Sequence, residues 1–129
     1  MIHGIGADLV TIARMDAIEA RHGERFARRI LATEELPEYV AAPHKARFLA
    51  KRFAAKEAFA KAAGTGVRPP VSLTALRVTH DPLGRPGFAY APALEAWTRQ
   101  RGIVAAHLSL SDERDHALAF VILEGACTS

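Results

Sequence analysis

Alternating apolar and small or polar positions over residues 2–12 predict a strand. Ile5, Ala7, Leu9 and Thr11 fall on one face, and Gly6, Asp8, Val10 and Ile12 on the other. Ala17, Ile18, Phe26, Ile30 and Leu31 then supply the apolar stripe of a helix running toward Ile30, with Asp16 as its N-cap and Gly23 as a break or kink. Thr33 caps a short helical piece over 34–40, ended before Pro43. A long alanine-rich helix is predicted over about 44–63, with Gly64 as its stop. Residues 73–79 and 88–91 read as two strands joined by the dense turn chemistry of Asp81-Pro-Leu-Gly-Arg-Pro-Gly87. Pro92 opens a helix that Gly102 ends, with Leu94 and Trp97 toward the core. Residues 103–111 alternate again, with His107, Ser109 and Ser111 on one face and Ala106, Leu108 and Leu110 on the other. A turn at 112–115 leads to a buried return strand over 116–123. Strand, helices, hairpin, helix, hairpin: this order predicts an α+β fold, an antiparallel sheet packed on a long helix.

Length and composition narrow this picture without deciding it. At 129 residues, 1–129 is read as a single domain, long enough to bury a core. The one cysteine, Cys127, has no internal partner, which points to a reducing, cytoplasmic setting. Neither a secretory leader nor an apolar run near membrane-spanning length is seen, so no membrane role is expected. A net charge of +3 and a pI near 9.4 favour an acidic partner or ligand. They do not choose among nucleic acid, an acidic protein and a phosphorylated small molecule.

Two acids stand out. Asp8 lies inside an apolar strand, where an ionised carboxylate is costly unless paired, hydrogen-bonded or metal-bound. Glu57 is the only acid between Glu38 and Asp81, among Lys45, Arg47, Lys51, Arg52, Lys56, Lys61, Arg68 and Arg77. It is either a charge partner, with Lys61 one turn on and worth a few tenths of a kcal/mol, or a metal ligand. Arg21, Arg25 and Arg28 share one face if their helix is continuous, with Arg14 just ahead: a solvated face or a docking surface. Other motifs fail. Gly4 and Gly6 lack the third glycine of a dinucleotide fingerprint. Gly64-Thr-Gly66 follows a helix, whereas a phosphate loop precedes one. His107 has no second His or Cys at zinc spacing, and with Ser109 it lacks a nucleophile elbow.

Three segments together resemble one family. They are Gly4-Ile-Gly-Ala-Asp-Leu-Val-Thr-Ile-Ala-Arg14, the run from Phe48 through Lys-Glu57 to Gly66, and His107-Leu-Ser-Leu-Ser-Asp-Glu113. The chain resembles holo-acyl-carrier-protein synthase, the short stand-alone phosphopantetheinyl transferase, over nearly its whole length. It departs at Asp112, where the family often has histidine. The resemblance implies a phosphopantetheinyl-transferase-like fold. It implies Mg²⁺-dependent transfer of 4'-phosphopantetheine from coenzyme A to a serine of apo acyl carrier protein, releasing adenosine 3',5'-bisphosphate, in fatty acid biosynthesis. By the same resemblance Asp8 and Glu57 hold the metal, and Asp8, Glu57 and Lys61 form the catalytic set. Arg52, Lys61, Gly64, Arg85, Pro86 and His107 contact coenzyme A, and Arg14, Arg21, Arg25 and Arg28 dock the acidic carrier. A homotrimer with sites between subunits is implied, with no nucleic-acid partner. Competing readings are a basic nucleic-acid-binding module, disfavoured by the few core-spaced aromatics, and a small metal-dependent phosphohydrolase.

Overall fold

The computed structural model describes residues 1–127. β1 (Ile2–Thr11), β5 (His116–Gly125) and β4 (Ile103–Asp112) make an antiparallel sheet in the order β1-β5-β4. The register sets Gly6 opposite Val121, Asp8 opposite Ala119 and Val10 opposite Ala117, and on the other side Leu108 opposite Val121. These positions form the inner face, where Ala117, Ala119, Val121 and Leu123 are fully buried. The alternate positions form the outer face, where Ile5, Leu9, Leu118 and Phe120 remain exposed. Alternation with a period of two divides the strands in this way.

The long helix, α4 (Lys45–Ala63), lies against the inner face and is buried on nearly every side. Its alanines at 50, 54, 55, 58, 60 and 62 are all buried. They keep helix propensity high and let other backbone come close. β1 uses this. A Cβ on Gly4 would fall 1.9 Å from the Ala62 carbonyl oxygen, and one on Gly6 would fall 2.1 Å from that of Ala58. Both glycines therefore serve direct strand-to-helix contact, and this fixes how near β1 comes to α4. Gly64 ends the helix in the left-handed region, at φ 80°.

Around α4 pack α1 (Ile12–His22), α2 (Glu24–Ile30), a 3₁₀ turn at Thr33–Glu35 and α3 (Leu36–Ala41). A 3₁₀ turn at Leu73–Ala75 leads into the hairpin of β2 (Leu76–His80) and β3 (Pro86–Tyr90), followed by α5 (Pro92–Gln100). Phe59 of α4 meets Phe88 edge-on, with ring centroids 5.2 Å apart, and closes the hairpin onto the core. A smaller cluster of Ala27, Ile30, Leu31, Tyr39 and Leu49 fills the space between α2, α3 and α4.

The α+β expectation holds, with local revisions. α1 starts at Ile12 directly after β1, so Asp16 is an exposed residue inside the helix and not its cap. Gly23, at φ 52°, divides the expected helix into α1 and α2. Arg25 and Arg28 therefore lie on a different axis from Arg14 and Arg21. Residues 73–75 form a turn before the strand, because β2 pairs only from Leu76 to His80.

Candidate functional site

Asp8 projects from the inner face of β1, beside α4. Lys61 of α4 reaches it: its Nζ donates to Asp8 Oδ1 (2.9 Å) and to the Ala7 carbonyl (2.9 Å). The expected Glu57–Lys61 pair is therefore replaced by an Asp8–Lys61 pair. The exchange is possible because Gly6 lets the strand run close enough for the ammonium to span the gap; Lys61 Cβ itself would be 2.9 Å from a Cβ at that glycine. Glu57, one turn earlier, is half-buried and shares with Asp8 a cleft of about 390 Å³. Met15, Phe26 and Phe53 line its apolar side, and Arg14 its rim.

Burial and the negative charge of Asp8 push the Glu57 carboxyl above its ordinary value, while Lys61 pulls it down. Two neighbouring carboxylates, one of them already paired with an ammonium, are the kind of donor set that a hard divalent ion takes. Among the described residues no three His, Cys, Asp or Glu cluster to hold a metal. A two-carboxylate set suits Mg²⁺, which keeps several waters and takes its remaining ligands from phosphate oxygens. The residues present thus fit the ion that the resemblance implies.

The other expected site residues are distributed as follows. Arg52 is 5% exposed. It donates to Glu35 Oε2 (2.8 Å) and Glu38 Oε2 (2.7 Å) and lies over the Phe48 ring. Its guanidinium is thus paired inside the protein with two carboxylates. Gly64 is exposed at the end of α4, but its N–H already bonds the Ala60 and Lys61 carbonyls. His107 stands on the outer face of the sheet, on the opposite side from Asp8, and donates from Nε2 to Glu124 Oε1 (2.9 Å). Arg85 and Pro86 belong to the β2–β3 hairpin, where the Arg85 N–H bonds Asp81 Oδ1 (2.8 Å). Arg14, Arg21, Arg25 and Arg28 are all exposed. Among the described residues only Arg28 has an ion partner, Glu24 at 3.6 Å.

Two features escaped the sequence reading. Asp112 accepts from Arg47 (2.9 Å) and lies 3.5 Å from Lys51, which ties the β4–β5 turn to α4. The Arg47 hydrogen bond, with the attraction of both bases, holds its carboxyl below its ordinary value. Glu35 and Lys56, both fully buried, form an ion pair beside the site. Glu35 carried no local signal of this role in the sequence.

The family model of the 4'-phosphopantetheinyl transferase superfamily matches residues 4–121. A holo-[acyl-carrier-protein] synthase of Laribacter hongkongensis is 61% identical over 125 residues, covering 97% of this chain and all of that one. The crystal structure of the Neisseria meningitidis synthase superposes with a TM-score of 0.93 at 51% identity, covering 96% of this chain and 99% of that chain. The Bacillus anthracis synthase, solved in complex with CoA (3',5'-ADP), superposes with a TM-score of 0.81 at 32% identity, covering 98% of this chain and 99% of that one. Agreement in sequence, length and fold at this level leads to one conclusion: the chain belongs to the holo-acyl-carrier-protein synthases of the 4'-phosphopantetheinyl transferase superfamily.

Proposed function

We propose that this enzyme transfers the 4'-phosphopantetheine group of coenzyme A to a serine hydroxyl of an apo acyl carrier protein, releasing adenosine 3',5'-bisphosphate, in the service of fatty acid biosynthesis. The observation that carries the reading is that Asp8 and Glu57, from two elements, share one cleft, with Lys61 hydrogen-bonded to Asp8. Asp8 and Glu57 would hold Mg²⁺, whose charge would offset that of the phosphates during transfer. Lys61, half exposed, would leave Asp8 to neutralise a phosphate oxygen or the leaving group. Glu57, with its proton affinity raised, would accept the serine proton directly or through a water.

The arginines of α1 and α2 have few acidic partners of their own and support docking of a strongly acidic carrier. Such a surface speeds encounter and weakens with salt. The exposed apolar outer face of the sheet, with Ile5, Leu9, Leu118 and Phe120, supports assembly into a homotrimer. His107 lies on that face and away from its own Asp8, so it, Arg85 and Pro86 would serve coenzyme A at a neighbour's site. Sedimentation should give three chains per particle; a monomer that is fully active would contradict this assembly. No helix among the described residues is long and apolar enough to cross a membrane. A cytoplasmic setting remains part of the proposal.

Glu57→Gln tests the chemistry. It should retain the fold and lose nearly all turnover, whereas full activity would remove Glu57 from the site. Release of phosphate from coenzyme A without any carrier protein would favour a phosphohydrolase instead.

A further inference from the structure

Lys56 directly precedes Glu57 on α4, yet its side chain is fully buried. Its Nζ donates to the Ile30 carbonyl at the end of α2 (2.7 Å) and to Glu35 Oε1 (2.5 Å). Glu35 is filled on both oxygens. Oε1 also accepts from the Ala32 N–H (2.8 Å), and Oε2 accepts from Arg52 (2.8 Å) and the Val78 N–H (3.1 Å). Arg52, one turn before Lys56, continues to Glu38. The network thus joins α4 to the backbone of α2, of the 3₁₀ turn that follows it, and of β2. Burial alone would raise Glu35, but the attraction and hydrogen bond of Lys56 and the two backbone N–H groups bring it below its ordinary value. Burial lowers Lys56, against the pull of Glu35.

Stability is a poor reason for this arrangement. Buried ion pairs can often be replaced by well-packed apolar residues without loss. A directional network gives something that apolar packing does not, namely a fixed rotation of the helix. On the side facing β1, bare glycines meet helix backbone, and the directional link among the described residues runs through the exposed Lys61 side chain to Asp8 and the Ala7 carbonyl, a longer and wetter tether than the buried network.

We propose that Glu35, Arg52 and Lys56 are positioning residues for the Asp8–Glu57 site: their buried network locks the rotation of α4 so that Glu57 is held toward Asp8. This rests on the reading of that pair as the metal and phosphate site. Successive helix residues point about 100° apart, so holding Lys56 inward against α2 and β2 also sets the direction of Glu57. Side-chain ends lie about 5–6 Å from a helix axis, so a slip of ~10° moves a carboxylate by ~1 Å. A misplacement of that size can cost about 100-fold in rate.

The test is Lys56→Met, which leaves Glu35 paired with Arg52. On the folded variant, kcat should fall by roughly 10- to 100-fold. The dissociation constant for Mn²⁺, titrated without coenzyme A, should rise about tenfold, while KM for the carrier protein stays within about twofold. A crystal structure should show α4 rotated, with Glu57 drawn away from Asp8. Glu35→Gln is the second variant, with the same shifts expected at smaller size. Parent-like kcat, Mn²⁺ affinity and helix rotation in either folded variant would overturn the proposal, and so would failure of both variants to fold, since the network would then be a folding element. The helix rotation is read whatever reaction the chain performs. Loss of the transferase reading, seen as no carrier modification by the parent enzyme, is therefore a separate result.

Discussion

Replacing Gly6 with alanine tests how the site is held together. The new Cβ would lie 2.1 Å from the Ala58 carbonyl oxygen, 2.7 Å from the Ala62 nitrogen and 2.9 Å from Lys61 Cβ. Two of these neighbours are helix backbone and cannot turn aside. Ordinary contact begins near 3.4 Å, so α4 must retreat from β1 by about 1.3 Å along the shortest line. Overpacking a tight core usually costs about 1–3 kcal/mol, and rigid backbone neighbours place this change at ~3 kcal/mol or above. For a chain of this size each kcal/mol is worth about 3–4 °C, so the thermal midpoint should drop by ~10 °C. The retreat also separates Asp8, on the strand, from Glu57 and Lys61, on the helix, by roughly 1 Å. Turnover well below the new midpoint should then fall by about 100-fold. Differential scanning calorimetry and single-turnover transfer read the two effects. A Gly6→Ala variant that melts within about 2 °C of the parent and turns over normally would refute the close-contact reasoning.

Three further outcomes follow from the same geometry. Lys61→Met frees Asp8 of its ammonium partner. Mn²⁺ should then bind the ligand-free enzyme more tightly in a calorimetric titration, while KM for coenzyme A rises. Charge reversal at Arg21 and Arg25 should raise KM for the acidic carrier by about tenfold with little change in kcat, and should flatten the dependence of kcat/KM on salt. The folded pKa of Glu35 is depressed, so its stabilising contribution is present above its ordinary value of 4.5 and is lost as pH falls through the lower folded value. Melting curves between pH 6 and pH 3 should therefore show the parent losing more stability than Glu35→Gln over the acid end of that range.

The alternation in residues 103–111 told the two faces of β4 apart because a strand's side chains alternate strictly, and His107, Ser109 and Ser111 fall together on the exposed one. The alanine-rich run foretold α4 because propensity and a glycine stop act locally. Asp8 and Glu57 were legible as odd acids because an apolar strand and a basic helix make each conspicuous on its own element. What failed were partnerships between elements. Lys61 is four residues from Glu57 but bonds Asp8, 53 positions away. Arg52 was read as an available base, but Glu35, 17 residues back, takes it into the interior. Glu35 itself looked like an ordinary acid of a short helical turn. Its role exists only because the fold brings the end of α2, α4 and β2 around it. Gly4 and Gly6 were tested against a nucleotide motif, and their real constraint, the backbone of α4, lies more than fifty residues along the chain. Asp112, the one departure from the family's usual histidine, found its partners Arg47 and Lys51 only through the folded turn.

Intact-mass spectrometry of an apo acyl carrier protein, after incubation with this enzyme, coenzyme A and Mg²⁺, measures the transfer reaction directly. The account predicts a carrier heavier by one phosphopantetheine group on its serine, lost when Mg²⁺ is chelated and absent with Glu57→Gln. An unchanged carrier mass after incubation with folded enzyme and both ligands would contradict it.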